Sequence, residues 1–147
     1  MAFIGSFAAA QSARAIGKYN ADVYQQRAKY AEAKANVNRE VFNKVDRPRL
    51  LKKQDADYDF LFVRALKSGA EVRPGTSPYL ALLEARYNQA TDLTIADYNA
   101  KQRYYEGINE SLLLESKSIG EAFKGSMTAR AETIKGLASA GSLLAGL

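Results

Sequence analysis

Three alternating aspartates, Asp55, Asp57 and Asp59, are the residues whose type and spacing first suggest chemistry. Alternate oxygen donors open a calcium-binding loop, which also needs glycine at its sixth position and a carboxylate at its twelfth. Those positions here hold Phe60 and Leu66, so a charged helix face balancing Lys52 and Lys53 is the better reading. Glu106, Glu110 and Glu115 are the next acids of interest. Glycoside cleavage pairs two carboxylates across a cleft, whereas steps of about one helical turn are ordinary on a solvated surface. The stretch Gly120-Glu-Ala-Phe-Lys-Gly-Ser126 lacks the spacing and terminal lysine of a phosphate-cradling loop. Histidine and cysteine are absent, which removes thiol nucleophiles, imidazole bases, their metal sites and disulfides. The expectation is a protein that is not an enzyme and holds no cofactor or metal.

The remaining polar feature is a cluster of cations. Lys44, Arg47, Arg49, Lys52 and Lys53 place five positive charges within ten residues. Such a cluster can neutralise phosphates without reading base sequence, so non-specific DNA or an acidic protein surface is the expected partner. Residues 1–73 carry 14 Lys/Arg against 8 Asp/Glu, and residues 74–147 carry 7 against 8. The positive balance therefore belongs to the first half. A solvated helix face accounts for it equally well.

The elements that position these residues are helices. Alanine and other good helix formers dominate, and only three prolines interrupt 147 residues. The spacing predicts helices over roughly 8–45, 48–68 and 78–137. In the first, Ile16, Val23, Tyr30 and Val37 recur every seven residues, the repeat of a supercoiled seam. Ala21, Ala28 and Ala35 run beside them as a row that would let another helix approach closely. Pro48 should break or bend the chain, with Asp46 as the cap of the next helix. Gly69, Pro74, Gly75, Ser77 and Pro78 punctuate a turn over residues 69–77: glycine to end one helix, Ser-Pro to start another. Beyond it, Tyr87, Tyr98 and Tyr105 fall with leucines and isoleucines on one helical face, and Gly107, Gly120, Gly125 and Gly136 are candidate bends.

The turn sits near the middle of the chain, so the predicted fold is all-α: one helical domain forming an elongated antiparallel hairpin. Two helices shelter only one stripe each, so such a hairpin should associate with copies of itself, through Ile16, Val23, Tyr30, Val37, Tyr87, Tyr98 and Tyr105. Its apolar ends would gather Phe3, Ile4 and Phe7 with Leu143, Leu144 and Leu147. The uncharged tail 138–147 is too short to span a bilayer alone, and is read as a membrane or oligomer contact.

The segment Ala70-Glu-Val-Arg-Pro-Gly-Thr-Ser-Pro78 resembles the turn of small internal virion proteins from tailed, short-tailed bacteriophages. The following Ala-, Tyr- and Asn-rich helix, with Ala96-Asp-Tyr-Asn-Ala100, is similar, as is the closing Gly136-Leu-Ala-Ser-Ala-Gly-Ser-Leu-Leu-Ala-Gly-Leu147. The likeness covers roughly residues 66–147. It implies a core protein packaged inside the capsid near the portal, alongside other internal virion proteins and DNA. Such a protein leaves with the genome and helps to form a conduit through the host envelope, where it meets the host membrane. A permanent head–tail or tail adaptor and a secreted membrane-active hairpin are the alternatives.

Overall fold

The structure, a computed structural model, describes residues 2–144, and the surroundings of side chains from 5 to 139. It is all-helical, 93% helix, with no strand among the described residues. Helix α1 spans Ala2–Val41, and a single π-helical turn follows at Phe42–Asp46. Helix α2 spans Arg47–Lys67, and α3 runs from Ser77 to Leu144.

The break or bend expected at Pro48 takes the form of the π turn just before it, without an uncoiled or capped gap. Val41, Asp46 and Arg47 all keep right-handed helical dihedrals, and Asp46 makes no capping bond. In a regular helix the proline ring would collide with the carbonyl four residues back and leave an amide bond unmade. The wider π turn just upstream takes up that misfit, and the Arg47 amide donates to the Phe42 carbonyl, five residues back. Pro48 does lie in the first turn of α2, as its chemistry requires.

The turn between α2 and α3 follows its sequence closely. Gly69 has φ +73°, its amide donates to the Leu66 carbonyl at 3.1 Å, and the Ala70 amide donates to the Ala65 carbonyl at 3.3 Å. This paired closure satisfies two orphan carbonyls at the end of α2. Gly75 also has positive φ, +90°. The start of α3 differs by one residue from expectation. The Thr76 carbonyl, not that of Ser77, accepts the first helical bond, from the Leu80 amide at 3.0 Å. The Thr76 hydroxyl faces back into the turn, 2.9 Å from the Glu71 carbonyl and 2.8 Å from that of Arg73.

The chain divides into two compact units. The first joins residues 1–33 to 107–147, and its described helices pack antiparallel through small residues. Ala10, Ala21, Ala28, Ala31, Ser111 and Ala129 are buried, as are Gly17, Gly125 and Gly136. Ala28 and Ala129 are only 1% and 0% exposed. The closest approach joins Gly17 to Gly125. A methyl group added at Gly17 would lie 2.7 Å from the Gly125 Cα, and one at Gly125 would lie 2.8 Å from the Gly17 Cα. Glycine here permits backbone-to-backbone packing. Gly125, one of the four candidate bends, is a contact point within the continuous α3.

The second unit, residues 34–106, contains the π turn, α2, the turn and the first part of α3. Its helices meet through longer side chains. Leu82 is its one large buried apolar residue, with Ala35 and Gln54 buried as well.

Candidate interaction surface

In the first unit, inward positions hold small side chains, so the bulky ones point out. Ile16, Tyr19 and Tyr30 are exposed on α1, and Leu112, Ile119, Phe123, Met127, Ile134 and Leu137 on α3. Tyr30 and Ile119 are 72% and 71% exposed. The same holds in the second unit for Val37, Tyr87, Tyr98 and Tyr105. Of the seven residues predicted to form an assembly seam, six are exposed and Val23 is half-buried. They do share helical faces, and those faces are not the ones that join the helices. Isolated exposed apolar residues need no explanation, but continuous stripes of them mark contact sites.

Polar side chains fix the antiparallel register within each unit. In the first, the Ser118 hydroxyl donates to the Ala21 carbonyl at 2.8 Å, and the Asn20 amide donates to Glu121 at 3.1 Å. In the second, Gln54 and Gln89 donate to each other's backbone carbonyls at 2.9 and 2.6 Å. Arg86 bonds Asp55 at 3.0 Å and stacks its guanidinium 3.8 Å above the Tyr58 ring. Hydrogen bonding to Asp55 holds the Arg86 pKa above its ordinary value, against a smaller loss of solvation.

The five predicted cations divide into two groups. Arg47 pairs with Asp97 at 3.1 Å and Lys44 pairs with Glu40, so both are engaged within the chain. The hydrogen bond and charge of Lys44 hold the Glu40 pKa below the usual carboxylate range. Arg49, Lys52 and Lys53 are exposed on one turn of α2, three and four residues apart, and project together. They are the cations of the cluster left for an outside partner. Asp55, Asp57 and Asp59 lie within α2, where alternate residues point to different sides and cannot wrap one ion.

Three shallow grooves surround Phe42 at the π turn. One of them, lined by Arg39, holds about 260 Å³ and is bounded also by Asp97, Lys101 and Tyr104. The Arg39 guanidinium sits 4.9 Å over the Tyr104 ring. No local sequence signal marks these grooves, which lie beside the widened turn. Among the described residues no helix is long and apolar enough to cross a membrane. The side chains of Phe3, Ile4, Leu143, Leu144 and Leu147 lie outside the described set, and Phe7 is exposed. Compared with known proteins, the chain matches no family model, no curated protein and no solved structure.

Proposed function

We propose that the chain is a non-enzymatic internal virion protein of a tailed bacteriophage. In this reading it is packaged in the capsid near the portal and assembles with its own copies and other internal virion proteins. It is ejected with the genome to help build a conduit through the host envelope. The observation that carries the reading is the placement of the bulky apolar residues: Ile16, Tyr30, Leu112, Ile119 and Phe123 face outward while alanine and glycine fill the interior. A chain built this way presents surface to other macromolecules and encloses nothing. Arg49, Lys52 and Lys53 offer packaged DNA a site for phosphates that is independent of base sequence. The resemblance of residues 66–147 to internal virion proteins supplies the biological setting.

Mass spectrometry of intact and emptied particles tests it. The protein should be present in full virions and lost when the genome leaves. Its absence from virions would overturn the reading, and its retention in the emptied head–tail connector would replace it with a fixed adaptor.

A further inference from the structure

The outward stripes of the first unit have a geometry that selects their partner. On α1, inward Ala10, Gly17, half-buried Tyr24 and Ala31 repeat by seven, as do inward Ala21 and Ala28, and Ile16, Val23 and Tyr30 repeat by seven beside them. On α3, inward Ser111, Ser118 and Gly125 repeat by seven, and Leu112 and Ile119 follow one residue later. On a wheel of 3.5 residues per turn, the α1 stripe lies about 130° from the centre of its seam and the α3 stripe about 80° from the centre of the rows of Ser111 and Ala129, in opposite rotational senses. Because the helices run antiparallel, the two stripes emerge on opposite faces of the unit.

The stripes also match in level. Gly17 faces Gly125, and Ala21 receives the Ser118 hydrogen bond. Continuing that register sets Val23 level with Ile119 and Tyr30 with Leu112, while Ile16 falls level with the half-buried Ser126. One flank of each stripe is uncharged in its middle: Ser12, Tyr19, Gln26 and Ala33 border the first, and Asn109, Ser116 and Phe123 border the second. The other flank of the α1 stripe holds Ala13, Asn20, Arg27 and Lys34.

We propose that the α1 stripe of one copy docks on the α3 stripe of a second copy of this chain, in the register used inside the chain. The proposal rests on the assembly part of the function proposed above and names its surface. A lipid surface would cover one stripe and leave the other in water. A second copy covers both, because each copy offers one stripe to each neighbour. Full burial of Ile16, Val23, Tyr30, Leu112 and Ile119 from their present exposures would remove roughly 600 Å² of mostly apolar surface per contact, before polar neighbours are added. A specific interface needs about 1,000 Å² in all, so the stripes supply most of one. A head-to-tail contact of this kind continues from copy to copy, closing as a ring or running on as a filament.

The natural absence of cysteine makes the test clean. Full-length Tyr30→Cys and Leu112→Cys chains, distinguished by a tag, are mixed and mildly oxidised. The mixed 30–112 disulfide should exceed either homodimer by about tenfold, since a disulfide tolerates only a few ångströms of misplacement. Predominant 30–30 or 112–112 links would overturn the docking, as would chains that stay monomeric by sedimentation and form no link. Neither result touches the virion assignment, which the particle measurement decides separately.

Discussion

The two units solve the same problem, holding two helices side by side, with opposite materials. In residues 1–33 and 107–147 the seam is alanine, glycine and serine, and its tightest point is backbone against backbone at Gly17 and Gly125. In residues 34–106 the seam is bridged by Gln54 with Gln89, Arg47 with Asp97, and Arg86 with Asp55 and Tyr58. Small side chains bury little area each, at about 0.8 kcal/mol per buried methylene, and draw what they gain from close approach. Long polar chains hold helices farther apart and define register through hydrogen bonds worth roughly 0.5–1.5 kcal/mol each. The first seam should therefore be sensitive to added volume, and the second to lost hydrogen bonds.

Two glycines on α3 sharpen this contrast most. Gly125→Ala should destabilise the protein by about 1–3 kcal/mol in denaturant unfolding, because its methyl meets the α1 backbone. Gly120→Ala, with open space around its side-chain position, should stabilise by about 0.5–1 kcal/mol through helix propensity alone. If both changes stabilised, the close approach would be wrong.

In the second unit, Gln54→Leu and Gln89→Leu should each cost about 0.5–1.5 kcal/mol, and the double variant should lose close to the sum, because each side chain bonds a backbone carbonyl that the other substitution leaves in place. A double loss well below that sum would mean that the two bonds are not independent.

How much of this was readable beforehand divides along the same line. The end of α2 at Gly69 and the turn at Gly75 were legible, because only a backbone with positive φ needs glycine there. The shared faces of Ile16, Val23 and Tyr30 were legible as well, because period is a property of sequence. Which face turns inward was not. Periodicity groups residues without naming their partner, and the bulky row draws attention before the alanine row. Gly17 lay in the same seven-residue line as Ala10 and Ala31, so the signal was present but unused. Proline forbids an α-helical bond, so Pro48 signals a break or bend; that the helix absorbs it by widening into a π turn has no mark in the sequence. The Gln54–Gln89 exchange had no local signature, since its partners are 35 residues apart.

The smallest expected effect concerns Glu40. Its folded pKa is lowered, so pairing with Lys44 stabilises above the unfolded value and is lost as pH falls through the folded one. Carboxylate chemical shifts followed by NMR should show Glu40 titrating below the ordinary range, and Lys44→Ala should return it there. Both groups are exposed, so global stability should hardly change.

The central claim is that small residues join the helices while large ones face out, and unfolding of paired variants at high dilution tests it most directly. Ala28→Leu fills a site with no room and should cost about 1–3 kcal/mol. Tyr30→Ala, two residues away, removes an exposed ring and should change stability by no more than about 0.5 kcal/mol. A tolerated leucine at position 28 together with a large loss at Tyr30 would contradict the account.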